Sequence, residues 1–584
     1  MQRPKPVDVA IAGGGWVGLA LAHEITSRSS LSVLVLERGP GRGLKDYAAD
    51  MDELDYTLRY RMMHSLADET VTHRHSPRQS AVPVRQYGSF NVGTGVGGSG
   101  EHWTGLSYRF LPDQFRLATA LADKHGRARL PAGLAVQDWG VTYEELEPLY
   151  WRAEQMMGVG GKAGNLGGRI VEGGNPFEGP RSHEYPNPPH RRTFLTSLFA
   201  KAARELGYHP FSSPAATLSQ TYRNPDGITR SGCAYCGYCS RYGCMIGAKA
   251  QPTNTLLPLL VKHDRFELRT GCQVRRVVHR QGRAEALAYV DSAGVEVEQP
   301  ASIVIVGSWT LNNSRLLLMS RIGERYDPAS GKGTLGRNLT HQVGNATPIF
   351  LDQPLNAFMG AGGLGVTLAD FDGDSGLDPA FGILRGGHIR ANSFGEGPIT
   401  SFGRFPPGET DSTWGSAWKK AALKWWDHGA AITCEAEHLA WRQNFVDLDP
   451  VYTDKFGDPL VRLTLDWTDH ERRQAAMAAK VQESLAKAMG ARLGGGPARV
   501  GEHYSVVNYQ SSHVCGGAIM GASPETSVVN PWLQHWRMPN LWVVGASAFP
   551  QNSSANPTLT VLALAYRAAG ALVDRYLKHP GPLA

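Results

Sequence analysis

Val7-Asp8-Val9-Ala10-Ile11-Ala12-Gly13-Gly14-Gly15-Trp16-Val17-Gly18 is the stretch whose reading decides the fold. Its first six residues form a short apolar run of β type, and residues 19–25 beyond the glycines have helical spacing. A second apolar strand, residues 31–36, ends at Glu37. Strand, tight turn, helix and strand make a βαβ unit, in which Gly13, Gly15 and Gly18 stand as G-x-G-x-x-G. The first glycine permits the turn, the second lets a pyrophosphate approach the backbone, and the third lets the helix pack on the strand. The helix start then offers free N–H groups to an anion. Glu37, nineteen residues past Gly18, falls where a carboxylate accepts hydrogen bonds from an adenosine ribose. A dinucleotide-binding α/β domain is expected here.

The rest of the chain has to accommodate that unit. Its 584 residues allow two large domains or one elaborated one, and 42% apolar with 19% charged residues excludes disorder over most of the length. The 68 glycines are an excess over the usual ~7%, as expected where backbone turns tightly or approaches a ligand. A net charge of +6, with no run of five or six basic residues, gives no phosphate-tracking stripe, so nucleic acid is excluded as a partner. The longest apolar stretch, residues 561–573, is interrupted by Arg567 and reads as a buried helix, so no membrane span is expected. Arg3 and Lys5 lead directly into the first strand without a signal-peptide core or cleavage site, so the chain is not expected to export itself.

Outward from the first unit, a second glycine-rich segment covers residues 93–105, and helical pieces lie near 141–157 and 193–207. Residues 158–189, rich in glycine and proline, read as irregular loop. Strands are expected at 266–270, 274–278 and 301–307, followed by a helix at 312–321. Residues 343–501 alternate short apolar segments with Gly, Pro and Asp, the pattern of an antiparallel sheet with helices on one face. The chain closes with a strand at 541–545 and a helix at 559–576, started by Pro557 and Thr558. The expected class is α/β, or α+β overall. Residues 1–110, 231–342 and 502–584 form the nucleotide-binding domain, 111–230 a helical and loop insertion, and 343–501 an inserted antiparallel-sheet domain for the substrate.

Gly93-Thr94-Gly95-Val96-Gly97-Gly98-Ser99-Gly100-Glu101-His102-Trp103-Thr104-Gly105, Gly336-Arg337-Asn338-Leu339, the run from His513 to Gly521 and Asn556-Pro557-Thr558 together resemble the glucose-methanol-choline (GMC) flavoprotein family. The resemblance runs the full length. It implies a Rossmann-like FAD-binding domain and a sheet-based substrate domain. FAD would be held by Gly13, Gly15, Gly18, Glu37, Gly95, Gly98, His102, Trp103, Val274, Gly545, Ala546, Pro557 and Thr558. Within the family, residues 93–105, the cysteine segment with Gly237-Tyr238, and residues 545–550 look most like flavoprotein subunits of the gluconate 2-dehydrogenase and fructose dehydrogenase type. That likeness implies oxidation of a sugar or sugar acid at the periplasmic face of the bacterial inner membrane. It also implies a small partner subunit bearing the export signal and a multihaem cytochrome c subunit that takes the electrons, with membrane association only through partners. A glycoside 3-dehydrogenase with the same electron path, a sugar oxidase making hydrogen peroxide and a non-catalytic electron-transfer subunit are the rival readings.

Moving a hydride from an alcohol carbon to flavin requires a base for the hydroxyl proton, and histidine, with an unperturbed pKa near ~6.5, suits that task. His513 is therefore the expected base. Asn556 is expected to hold the substrate oxygen, since an amide cannot take its proton. His102 looks like the histidine that some relatives join covalently to the flavin 8α-methyl; the alternative is a hydrogen bond near the ring. Four of the seven cysteines, Cys233, Cys236, Cys239 and Cys244, fall within twelve residues. Their C-x2-C-x2-C-x4-C spacing nearly repeats a ferredoxin run and predicts an iron–sulfur cluster, with zinc or unmetallated thiols as alternatives. The resemblance favours 3Fe-4S over 4Fe-4S, in which case one thiol is spare. Cys515 reads as packing, and His73 with His75 as an H-x-H pair without further ligands in sequence. The tryptophans at 414, 418, 425 and 426 fit a sugar site, a partner contact or ordinary core.

Overall fold

In the computed structural model, which describes residues 2–47, 52–392, 397–495, 500–508 and 511–583, the expected first unit forms as β1 (Val7–Ala12), α1 (Trp16–Arg28) and β2 (Val33–Leu36). Val9, Ala10, Ile11 and all of β2 are buried, as required of parallel strands covered on both faces. The sheet continues with β3 (Phe266–Arg269), β4 (Gln273–Arg280), β5 (Arg283–Val290) and β6 (Glu296–Val306). Its order is β3-β2-β1-β6-β5-β4. The long β6 serves two pairings. Its second half runs parallel to β1, with Ala301 beside Val7 and Val306 beside Ala12, while its first half turns antiparallel to β5. The last strand, Leu541–Val543, lies parallel to Val304–Val306 on the far side. Helix Thr558–Ala571, with Pro557 as its cap, packs on α1 and on helix Tyr143–Met157, closing the apolar core around the parallel strands.

A second, antiparallel sheet is built from β7 (Val343–Phe350), β8 (Gly365–Leu368), β9 (Gly387–Asn392) and β10 (Gly429–Ala436), in the order β7-β10-β9-β8. Helices Asp469–Ala488 and Phe194–Glu205 cover one face. Period-two alternation turns Ile389, Ala391 and Ile432 towards those helices and Arg390, Thr433 and Glu435 to the opposite side, where a cavity lies.

The boundaries expected from sequence are crossed twice. Phe211–Ser212, from the 111–230 segment, pairs with β8 and supplies an edge strand of the second sheet. Thr72–Arg74, from the first segment, runs parallel to Pro459–Thr464. The sheet domain therefore extends beyond residues 343–501. Two-residue and three-residue strands carry too little pattern to announce such pairings.

Candidate active site and cofactor cavity

The glycine turn after β1 has three different steric duties. Gly13 has φ +108°, and a Cβ there would lie 2.9 Å from the Gly307 carbonyl oxygen. A Cβ on Gly18 would overlap the Gly13 carbonyl oxygen, so the third glycine lets helix and turn touch. Gly15 is different: its Cβ would meet only the Gly97 oxygen, at 3.7 Å, and its face opens on a cavity of ≈ 240 Å³. Gly13, Gly15, Glu37, Gly98, Val274 and Ser308 are among the lining. Glu37 accepts from the Gly14 and Gly39 amides, 2.9 Å each, which fixes its carboxylate while leaving lone pairs for hydroxyl donors. The Gly97 amide donates to the Gly14 oxygen at 2.8 Å, so the second glycine segment lies directly on the first.

Not every residue expected at the cofactor lines this space. Gly95, with φ +108°, would carry a Cβ 2.9 Å from the Pro40 oxygen and supports the loop from behind. Gly545 and Ala546 line neither this cavity nor the next; Ala546 accepts a hydrogen bond from the Gly516 amide at 3.0 Å. Pro557 likewise acts at the start of its helix, whereas its neighbour Thr558 reaches a cavity wall.

The second cavity, ≈ 630 Å³, is walled by His102 and Trp103 on one side, His513 and Asn556 on another, and Arg390 and Glu435 from the antiparallel sheet. His513 Nε2 lies 3.1 Å from Asn556 Nδ2, and its Nδ1 is hydrogen-bonded to Gln342 Oε1. Its main chain is held separately, the carbonyl by Asn552 Nδ2 at 2.7 Å and the amide by Ser511 Oγ at 3.1 Å. Burial pushes the His513 pKa down to about 4, with Arg390 and His388 adding to the effect and Glu435 opposing it. The ring is therefore neutral near pH 7. Arg390 grips Glu435 with two hydrogen bonds, 2.8 and 2.6 Å, and, although burial works the other way, holds that carboxyl far below its usual range. Asn556 Oδ1 is buried without a partner among the described residues.

Trp103 is fixed by an indole hydrogen bond to the Ala250 oxygen at 2.7 Å. His102 is buried, and its Nε2 has no partner among the described residues. Burial, with Lys249 and Arg42 nearby, lowers the His102 pKa to about 3, leaving a neutral ring. A buried, neutral and unsatisfied imidazole nitrogen on a cavity wall is the arrangement a covalent bond or a ligand contact at that atom would complete.

Behind His102 lies the cysteine loop, since the Arg241 amide donates to the His102 oxygen at 2.8 Å. Cys233, Cys236, Cys239 and Cys244 are all free thiols, the last two buried. Burial and mutual repulsion push the Cys233 thiol up to about 12, and burial pushes Cys239 up to about 11, so the sulfurs sense one another. In an iron–sulfur cluster each thiolate binds its own iron, so the four sulfurs need not converge on one ion. Among the described residues no three His, Cys, Asp or Glu side chains form a ligand set for one ion. Two of the sulfurs accept from amides of their own loop, Cys233 from Tyr235 at 3.3 Å and Cys244 from Lys249 at 3.5 Å. Lys249, fully buried, donates to the carbonyls of Trp103, Cys239 and Tyr242, each at 2.8 Å, and so joins the loop to the cavity wall.

Sequence reasoning did not single out Gln342, Arg390, Glu435 or Lys249. Gln342 was three residues from the Gly336–Leu339 signal, but the other three carry no motif; only strand alternation could have placed Arg390 and Glu435 on the cavity side. The H-x-H pair is consumed by backbone, His73 by the Leu465 oxygen at 2.9 Å and His75 by the Tyr504 oxygen at 3.0 Å. Cys515 is fully buried in the core. None of the four tryptophans lines the cavity: Trp425 is buried against Phe350, and Trp414 is exposed.

Two segments, residues 189–343 and 441–565, match models of the GMC oxidoreductase family. Over 590 aligned residues the chain is 39% identical to the gluconate 2-dehydrogenase flavoprotein of Pantoea cypripedii, covering 99% of this chain and 95% of that protein. The chain belongs to the GMC oxidoreductase family. It is also 25% identical to the fructose dehydrogenase large subunit of Gluconobacter japonicus, over 97% of this chain and 98% of that one. Among solved structures, pyridoxine 4-oxidase from Mesorbium loti shares the fold, with a TM-score of 0.60 at 16% identity over 98% of this chain and 100% of that one. As a GMC oxidoreductase the protein is an FAD-dependent enzyme acting on alcohol groups. The open face at Gly15, the tethered Glu37 and the unsatisfied His102 nitrogen are groups that would hold FAD.

Proposed function

We propose that this protein is an FAD-dependent dehydrogenase that oxidises a secondary hydroxyl of a sugar or sugar acid and passes the electrons to a partner protein rather than to oxygen. The observation that carries the reading is the pairing of His513 and Asn556 on the wall of a polar cavity. FAD, when bound, supplies the hydride acceptor. His513 takes the hydroxyl proton, and Asn556 holds the substrate oxygen. Arg390, Glu435 and Thr433 present the polar groups that a polyol's remaining hydroxyls require. The similarity to a gluconate 2-dehydrogenase flavoprotein supports the substrate class. The similarity to a protein named as a large subunit supports partners, here a small export-bearing subunit and a cytochrome c at the periplasmic face. Among the described residues no helix is long and apolar enough to cross a membrane, so attachment would come through those partners.

Gluconate, glucose and glucosides added without oxygen to the pure protein test this directly. Bleaching of the flavin by gluconate, with turnover once dichlorophenolindophenol is present, is the expected result. Bleaching by glucosides alone would favour a glycoside 3-dehydrogenase, and rapid peroxide formation unaffected by the dye would favour an oxidase.

Covalent attachment of FAD at His102 belongs to the same reading and rests on its unsatisfied Nε2. Acid precipitation is expected to leave the wild-type pellet yellow and to release all the flavin from His102→Ala. Colourless wild-type pellets would exclude the bond.

Iron–sulfur loading of Cys233, Cys236, Cys239 and Cys244 also belongs here, and it rests on their spacing within one loop behind His102. About three or four iron atoms per chain, with acid-labile sulfide, are expected on elemental analysis of anaerobically purified protein. Stoichiometric zinc, or no metal, would remove the cluster from the electron path.

A further inference from the structure

Gln342 is fully buried one residue beyond the short strand Thr340–His341. Its Nε2 is surrounded by three carbonyl oxygens, Ser553 at 2.6 Å, Ser554 at 2.7 Å and Ala555 at 3.1 Å. Turned over, the amide would aim its oxygen at three other oxygens. Its orientation is thus set by its surroundings, and Oε1 faces His513 Nδ1. An amide oxygen only accepts, so the hydrogen of that bond resides on Nδ1. A neutral imidazole has a single N–H, which leaves the lone pair on Nε2. At Nε2 the neighbour is a donor, Asn556 Nδ2, as a lone pair there requires.

We infer that Gln342 locks His513 in the Nδ1–H tautomer and so makes Nε2, the nitrogen turned towards Asn556, the atom that receives the substrate proton. Gln342 is a positioning residue, acting only through His513. The inference rests on the reading of His513 as the base and adds which nitrogen acts and what keeps it available. The device is local. Residues 553–555, which fix the glutamine, run straight into Asn556, so one loop sets the tautomer and places the amide beside it. The charged and titratable groups facing the ring come from other elements: Glu435 on β10, Arg390 and His388 on β9, and His341 beside Gln342. Among the described residues the ring nitrogens bond to Gln342 and Asn556, and the charged and titratable groups act on the ring through their charge. Released from the glutamine, the ring could place its hydrogen on Nε2 and would then present a donor where the substrate hydroxyl needs an acceptor.

The tautomer is readable in the holoenzyme. With 15N-labelled histidine, the ring signal that disappears in His513→Asn is expected to show a protonated Nδ1 and an unprotonated Nε2; the opposite pattern overturns the inference. A second measurement separates positioning from packing. Gln342→Met fills the same space without an acceptor and is expected to lose about tenfold or more in kcat, with KM and flavin content little changed. Gln342→Glu restores an oxygen opposite Nδ1 provided its second oxygen is protonated towards the three carbonyls, and is expected to recover part of that loss. Full activity in the Met variant, or equal damage in both variants, would leave Gln342 a structural residue only. Unimpaired activity in His513→Ala would instead remove the base itself while leaving the tautomer measurement standing.

Discussion

His513→Ala is expected to lower kcat by about a hundred- to ten-thousand-fold while leaving flavin content and the thermal midpoint close to wild type. That range corresponds to about 2.7–5.5 kcal/mol of lost transition-state stabilisation. The two halves of the expectation have separate causes. The segment at 513 is held through its main chain by Asn552 and Ser511, contacts that survive loss of the ring. The catalytic loss follows because Asn556 cannot take a proton and Glu435, a carboxylate in the wall, is committed to Arg390. The pH dependence adds a sign. His513 is a base only while unprotonated, so wild-type kcat/KM should hold through neutrality and fall as pH drops through about 4, whereas the residual rate of His513→Ala should lack that limb. Anaerobic rapid-mixing measurement of flavin reduction checks both. A variant that reduces flavin at the wild-type rate would require another base.

The parts of the molecule that could be read from sequence are those in which neighbouring residues do a local job. Gly13, Gly15 and Gly18 announce the first turn because their duties, a positive φ, an open face and a close approach, are discharged within one turn of backbone. His513 and Asn556 could be placed by likeness to family segments, and burial then explains why the histidine is neutral. What stayed hidden depends on contacts between distant segments. Phe211–Ser212 joins a sheet whose other strands lie more than 130 residues away, and two residues have no periodicity to show it. Arg390 and Glu435 come from strands whose alternation is visible but whose cavity side is fixed only when the helices pack on the other face. The cysteine run shows the reverse problem. Spacing along the chain limits how far four sulfurs can separate, but not which metal they would hold, and the amides of Tyr235 and Lys249 donate to two of them.

The glycine turn gives the other large effect, and comparing two of its members shows which glycine serves the fold and which the cofactor. Gly18→Ala places a methyl group on the Gly13 carbonyl oxygen, a backbone atom that no rotamer change can move aside. Relief requires α1 to lift from the turn, and α1 is buried along Trp16 to Thr26 against the parallel sheet and helix Thr558–Ala571. A loss of about 4 kcal/mol or more is expected, with protein recovered poorly and without flavin. Gly15→Ala adds the same methyl group three residues earlier, at φ −89°, where alanine is relaxed and the nearest atom is 3.7 Å away. That chain should fold with a midpoint near wild type once flavin content is taken into account. Its methyl group, however, points into the cavity where a pyrophosphate would meet the backbone, so FAD affinity should fall by about tenfold or more. Thermal unfolding and flavin absorbance, measured on both variants, decide the matter: equal melting of the two would mean that helix packing does not need Gly18, and undiminished FAD binding by Gly15→Ala would place the pyrophosphate elsewhere.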